Sequence, residues 1–259
     1  MTVRISVDPS AVVSPAARIA DDVEVGPFVV IEADVVVGPG SRIRTGSVLH
    51  SGSRLGGHCL VGPYAVVGGE PMDSAFRGEA SLAVLGDGVV LREFVTVHRA
   101  TGEGEQTTIG DGTLVMTYTH VSHNVQVGRK CVLTTSVQLG GHCRIGDRVT
   151  IGSNSILHQY CRIGDFAMFG AGSAGNQDFL PFVMARGNPA RHFRLNKVGL
   201  QRNGIEGERY RLLERAVRAL RHRDRETFAQ LASTSSDVRL MAEFIEESRR
   251  GVARFQKGD

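Results

Sequence analysis

Five histidines in the middle of the chain, His98, His120, His123, His142 and His158, are the first residues whose type and spacing could do chemistry. A neutral imidazole can act as a general base on a sugar hydroxyl or amine when a partner orients its ring. Three imidazoles can instead hold zinc and leave one position open for water. Both chemistries suit such a cluster, and the residue types alone leave both open. What sets these five apart is their place in a repeat.

The repeat has a period of six. Stepping by six from Val7, the chain reads Val13, Ile19, Val25, Ile31 and onward to Val67, then Leu85, Leu91 and Val97, then Ile109 to Phe169. Only Asp73, Glu79 and Glu103 interrupt this apolar series. The residue after an anchor is often glycine, as at Gly26, Gly38, Gly128 and Gly140, which predicts turns with positive φ or close backbone approach. The fifth position of each hexad is small, as at Val23, Ser41, Cys59, Thr113 and Ser155, and reads as inward-facing. One large and one small inward residue in every six can build a triangular solenoid with about three hexads to a coil. The predicted fold class is mainly β: a parallel β-helix of hexapeptide repeats. Its handedness does not follow from the pattern, because the usual crossover preference is right-handed. All four cysteines, Cys59, Cys131, Cys143 and Cys161, fall on the small inward position, so they read as core residues and imply no disulfide.

The interruptions cluster, which predicts two loops extruded from the solenoid at 68–84 and 98–108, the places where a rigid scaffold tends to carry binding residues. The solenoid is expected over residues 1–190. A small α-helical carboxyl-terminal domain is expected over 191–259, where Leu212, Leu213, Val217 and Leu220, then Val238, Met241, Phe244 and Ile245, recur at helical spacing. Within this frame His123 takes the third place of its hexad and should point away from the packed interior, while His120 immediately precedes an anchor. Outward histidines on a regular solenoid have no core role, and one solenoid face offers only half a pocket.

Composition excludes a few classes. The 30 basic and 27 acidic residues give a net charge of +3, too balanced to imply nucleic acid as a partner. The 32 glycines and absence of tryptophan suit a regular scaffold rich in turns. The opening stretch lacks the apolar core of a leader peptide, and no run approaches the roughly 18 apolar residues of a membrane span, so a cytoplasmic protein is expected.

The runs MTYTHVSHNVQVG, LGGHCRIG, LHQYCRIGDFAMFGAGS and ARGNPARHFRLNKVGLQRNGI, with the loop GGEPMD and the segment VTVHRAT, together resemble the UDP-N-acetylglucosamine O-acyltransferase family over nearly the whole chain. The resemblance implies a left-handed coil, a homotrimer, and neither cofactor nor metal. It also implies transfer of a 3-hydroxyacyl chain from acyl carrier protein to the 3-hydroxyl of the UDP-sugar, the first step of lipid A synthesis. On the same likeness His123 is the catalytic base and Gly141 supplies an oxyanion-binding N–H. Asp73, His98, His120, His142, His158, Gln159, Asn196 and Arg202 fall at substrate-binding positions, and Ala171 stands in the acyl groove where many members have glycine. Arg186, Arg191, Arg194 and Lys197 could meet the acidic carrier protein or form a solvated basic face.

Several positions depart from the family pattern. Asn124 stands where an aspartate usually follows the catalytic histidine, which predicts a weaker base because an amide lacks the charge that favours imidazolium. Ala75 replaces a loop lysine, with Arg77 nearby as a substitute cation, and Val198 and Asn203 replace a glutamate and a second arginine. These changes admit another nucleotide-sugar acceptor, including an amino sugar. The later N-acyltransferase of the same pathway carries an extra amino-terminal domain, for which a repeat starting at Val7 leaves no room. A zinc-dependent hydratase of carbonic-anhydrase type and a non-catalytic binding scaffold are the readings from other classes.

Overall fold

The computed structural model of the chain describes residues 6–256, so the opening Met1–Ile5 of the segment read above against a leader, and Lys257–Asp259 at the other end, lie outside the described residues. The hexads form short parallel strands, mostly two residues long, separated by four-residue turns. Each strand stacks on the strand three places later, as Val25 does on Ile43 and Val121 on Leu139, so three parallel sheets form the sides of a prism. Sheet 1 runs from Ser6–Val7 to Met168–Phe169, sheet 2 from Val12–Val13 to Ala174–Gly175, and sheet 3 from Arg18–Ile19 to Arg162–Ile163.

The anchors and the small fifth-position residues fill the interior. Ile31, Leu49, Leu91, Leu133 and Ile151 are at most 1% exposed, as are Val23, Val29, Cys59 and Cys143. Burying each large aliphatic side chain contributes about 1.5–3 kcal/mol relative to leaving it in water. Buried hydroxyls at the fifth position are satisfied in a repeated way: Ser41, Thr113 and Ser155 donate to the carbonyls of Gly56, Gly128 and Gly170 in the next coil. The four cysteines are free and buried, and burial pushes Cys131 and Cys143 up to about 12.

Glycine after the anchor, Gly68 with its φ of 79° apart, plays one of the two roles expected of it and not the other. The positive φ values sit two places later, at Phe28, Tyr64, Asn124, His142 and their counterparts. The glycines after the anchors are needed for close approach: a Cβ on Gly38 would lie 2.5 Å from the Gly56 carbonyl carbon of the next coil.

Both extruded loops are present, but tighter than 68–84 and 98–108. Strands Val66–Gly69, Leu82–Leu85, Thr96–His98 and Gln106–Ile109 continue into them, because the loop residues keep pairing between coils. Both loops replace the turn between sheets 2 and 3 in consecutive coils, and they are stitched together. Gly104 donates to Ala80 O, and Glu79 accepts from the Gly102 N–H.

Beyond the solenoid, a strand Val183–Gly187 extends sheet 1 and pairs antiparallel with Ala190–Leu195. The boundary expected at 190/191 therefore cuts into a strand, whose alternating burial escaped a reading tuned to periods of six and 3.6. Four helices follow: α1 (Lys197–Arg202), α2 (Gly207–His222), α3 (Arg225–Thr234) and α4 (Ser236–Glu246). Leu213, Val217, Val238, Met241 and Phe244 meet in a second core with Leu180, Phe182 and Leu200. Asp224 and Ser235 cap α3 and α4 by accepting from Thr227 N and Val238 N. No helix among the described residues is long and apolar enough to cross a membrane.

Candidate active site

The turns between sheets 2 and 3 carry the histidine site. Where the two loops end, the next coil turns through Ser122, His123 and Asn124, the coil after it through Gly140, Gly141 and His142, and the following one through His158, Gln159 and Tyr160. A column of turns under a double loop is thus what places His123, His142 and Asp73 together.

His123 is buried, with 7% of its surface exposed, yet it lies outside the solenoid core. Its Nδ1 is 3.0 Å from Asn124 Oδ1. An amide oxygen only accepts, so Nδ1 carries the proton and Nε2 keeps the free lone pair. Asn124 is itself held: the Thr101 N–H donates to its Oδ1 and its Nδ2 donates to Thr101 O, each at 3.0 Å. That pair of backbone groups fixes which end of the amide faces the imidazole. The charge that the amide lacks is supplied from the loop, where Asp73 Oδ2 stands 3.7 Å from His123 Nδ1. The Ala75 N–H, donated to Asp73 Oδ1 at 3.0 Å, holds that carboxyl below its ordinary range, so it is ionised at neutral pH.

Gly141 lies directly under the ring. A Cβ there would come within 2.5 Å of His123 Nε2, so only glycine admits this packing. No acceptor for the Gly141 N–H is found among the described residues. His142 meets His123 edge to face, with centroids 5.2 Å apart, and is backed by Tyr160, stacked on it at 4.6 Å. Burial, with some repulsion from His123, lowers the affinity of His142 for a proton.

His98 and His120 form a second pair, edge to face at 4.7 Å. Burial holds His120 down to about 4 and lowers His98 as well, so both are neutral near pH 7. His120 Nδ1 bonds Thr96 Oγ1 at 2.7 Å, whereas His120 Nε2 and His98 Nδ1 are buried without a partner. Buried polar atoms left this way are ready to meet polar groups of a ligand. The histidines pair edge to face rather than converging: among the described residues no group of three His, Cys, Asp or Glu side chains is placed to hold a metal ion.

Asp73, His98, His120, His123, Gly141 and His142 are therefore brought together. His158 and Gln159 are exposed one coil further along the same edge, with His158 Nδ1 3.2 Å from Gln159 O. Asn196, Arg202 and Ala171 are not part of the cluster within one chain. Asn196 caps α1, accepting from the Gly199 N–H, while its Nδ2 donates to Phe166 O at the turn between sheets 3 and 1. Arg202 is exposed at the end of α1, beside Asn203, which bonds Arg148 on that same turn column. Ala171 is exposed on the turn between sheets 1 and 2. Arg77 donates to the carbonyls of its own loop, at Ser74 and Phe76, and so does not serve as a free loop cation. A cleft of about 1260 Å³ bordered by Arg186, Arg191, Arg221 and Arg223 lies in the carboxyl-terminal region and touches none of His98, His120, His123, His142 and His158. Sequence reasoning missed Thr101, whose contribution is backbone only, and Tyr160, whose exposed turn position carries no chemical signal by itself.

The fold and site define a hexapeptide-repeat protein with a buried histidine at a turn of the solenoid, its Nδ1 held by a neighbouring amide and its Nε2 free. The family model for bacterial transferase hexapeptide (six repeats) matches residues 16–51, and that for domain 2 of UDP-N-acetylglucosamine O-acyltransferase matches residues 178–253. The chain is 43% identical over 255 residues to the acyl-[acyl-carrier-protein]–UDP-N-acetylglucosamine O-acyltransferase of Halorhodospira halophila, covering 96% of this chain and 99% of that one. It is 40% identical over 256 residues to the protein of the same name from Stenotrophomonas maltophilia, covering 96% and 97%. Among solved structures, UDP-N-acetylglucosamine O-acyltransferase from Moraxella catarrhalis superposes with a TM-score of 0.91 at 32% identity, covering 96% of this chain and 99% of that one. The chain belongs to the UDP-N-acetylglucosamine O-acyltransferase family.

Proposed function

We propose that the protein transfers a 3-hydroxyacyl chain from acyl carrier protein to the 3-hydroxyl of UDP-N-acetylglucosamine, with His123 as general base. The observation that carries this reading is the orientation of His123: Nδ1 held by Asn124, Nε2 facing the space above Gly141. In the reaction Nε2 takes the proton of the sugar hydroxyl as its oxygen attacks the thioester carbonyl. The Gly141 N–H stabilises the oxyanion that forms, and Asp73 stabilises the imidazolium. Collapse breaks the carbon–sulfur bond, and the imidazolium returns its proton to the departing thiolate. His98, His120, His142, His158 and Gln159 line the acceptor side.

The coil is assigned as left-handed and the protein as cytoplasmic, on the family likeness. Residues 1–190 are assigned to the solenoid domain, and 191–259 to the carboxyl-terminal domain apart from the hairpin strand that bridges them. A homotrimer is supported by the split of the site: Asn196 and Arg202 stand at the turns between sheets 3 and 1, His123 at those between sheets 2 and 3, so a neighbouring copy would complete the pocket.

The test is acyl transfer from a panel of 3-hydroxyacyl carrier proteins to UDP-N-acetylglucosamine and its 3-amino analogue. Transfer to the hydroxyl sugar that disappears in His123→Ala is expected. Exclusive transfer to the amine would replace the acceptor, and undiminished activity in His123→Ala would remove the base.

A further inference from the structure

The segment His98–Thr101 serves both partners of His123 Nδ1. At its far end the Thr101 backbone clamps the Asn124 amide. Two residues earlier, Arg99 reaches the other way, into the loop between strands Val66–Gly69 and Leu82–Leu85, which brings Asp73 to the same nitrogen. The Arg99 N–H donates to Gly69 O at 3.0 Å, at the root of that loop. Its side chain is 17% exposed and makes three contacts: Nη1 donates to Ser51 O at 3.4 Å, Nη2 stands 3.8 Å from Glu70 Oε1, and the guanidinium lies 5.1 Å over the Phe76 ring.

Glu70 and Phe76 stand three residues before and three after Asp73. Phe76 is also tied to Asp73 directly, because its N–H donates to Asp73 O at 3.1 Å and closes a turn in which the Ala75 N–H holds the Asp73 carboxylate. Contacts therefore run without a break from the guanidinium through the Phe76 ring and N–H to Asp73, and from its carboxylate to His123 Nδ1. Stability does not account for this arrangement. The Glu70 side chain is 79% exposed, so its ion pair with Arg99 is screened by water and contributes little. Arg99 Nε is buried with no partner among the described residues, which costs stability because nothing replaces the water it has lost. Around Asp73 the loop has little else to hold it, since Met72, Ser74, Ala75, Arg77 and Gly78 are exposed.

We propose that Arg99 is a positioning residue for the transfer reaction: it clasps the Asp73 turn from both sides and so holds the carboxylate where it stabilises the His123 imidazolium. The inference rests on the reading of His123 as the base and assigns what keeps its charged partner in place. A guanidinium suits the task better than an ammonium, because its delocalised charge can lie over a ring while two separate nitrogens reach Ser51 and Glu70. One short segment thus sets both the orientation of the imidazole, through Thr101 and Asn124, and the charge beside it, through Arg99 and Asp73.

The experiment is a double-mutant cycle in the acyl-transfer assay with UDP-N-acetylglucosamine. Arg99→Met keeps the stem and removes the cation, and Asp73→Asn keeps an acceptor for the Ala75 N–H and removes the charge. Arg99→Met alone is expected to lower kcat roughly 10-fold with KM for the sugar little changed, and Arg99→Lys to recover part of that loss. With Asp73→Asn already present, Arg99→Met is expected to cost less than about 2-fold more. A role confined to holding the fold would slow both backgrounds alike. Losses that multiply in the double variant, a loss confined to KM, or full activity in Arg99→Met overturn the inference, and a slow Asp73→Asn beside any of them leaves the reading of His123 standing. Full activity in Asp73→Asn overturns the role of Asp73, and this inference with it. Should Arg99→Met fail to fold, as judged by circular dichroism and Tm, Phe76→Leu takes its place in the cycle: it removes the ring, leaves the guanidinium, and is expected to show the same dependence on Asp73.

Discussion

His123 and Asn124 are neighbours in sequence whose side chains are joined across a left-handed turn. Asn124 has a φ of 57°, and its Oδ1 reaches back to His123 Nδ1 at 3.0 Å while the Thr101 backbone clamps the other side of the amide. Asparagine is among the few residues that tolerate this backbone region at low cost. The clamp also explains why an amide works here: Thr101 offers one donor and one acceptor, and a carboxylate can satisfy only the donor.

Two substitutions at this position separate orientation from charge. Asn124→Ala removes the acceptor and frees the ring, and a loss of about 10²-fold in kcat is expected, in line with the usual contribution of positioned acid–base groups. Asn124→Asp adds charge but turns one carboxylate oxygen toward the Thr101 carbonyl, at a cost of about 1–3 kcal/mol for the unsatisfied contact. Steady-state kinetics and thermal unfolding of both variants test this. An aspartate variant that is faster and equally stable would show that the clamp does not select the amide.

Gly141→Ala should be severe for activity and mild for stability. The added methyl would fall 2.5 Å from His123 Nε2 and 2.6 Å from Cε1, so the ring must move off its bonding geometry. At least a 10²-fold fall in kcat is expected, with little change in Tm because the displaced ring is not part of the solenoid core. Gly38→Ala should behave the other way. Its Cβ meets the Gly56 and Gly57 backbone of the next coil, which cannot yield without opening the stack. A fall in Tm of several degrees is expected, with the activity of the folded fraction retained.

The period of six made the prism legible because every anchor does the same work in every coil, so an error at one position is corrected by the rest. His123 was legible for a different reason, since the third-position slot faces outward and gives a histidine no core task, and the family resemblance supplied its role. Asn124 was read as a loss of charge. That it is clamped by Thr101, and that Asp73 stands 3.7 Å from Nδ1, depends on how two loops fold against one another, and neither loop has a period. The hairpin ending at Leu195 was hidden for the same reason. Ala190, His192 and Leu195 are buried, but six residues with a register shift are too few for an alternation to register.

His192 gives the pH dependence of folding a definite sign. It is fully buried, its Nε2 accepts from the Leu180 N–H at 3.0 Å, and its ring lies among Phe179 and Phe255. Burial holds it down to about 4, whereas an unfolded histidine titrates near 6.5. Above pH 6.5 neither state binds a proton at this site, and the contribution is constant. As pH falls from 6.5 toward 4 the unfolded chain takes up a proton that the native ring refuses, so native stability drops, by about 3 kcal/mol in all. His192→Gln keeps an acceptor for the Leu180 N–H but cannot titrate. Urea unfolding between pH 7.5 and 4.5 is expected to show a steeper loss of stability in the unsubstituted protein than in the variant, by up to one proton. Parallel curves would mean that the ring takes up its proton without leaving the fold.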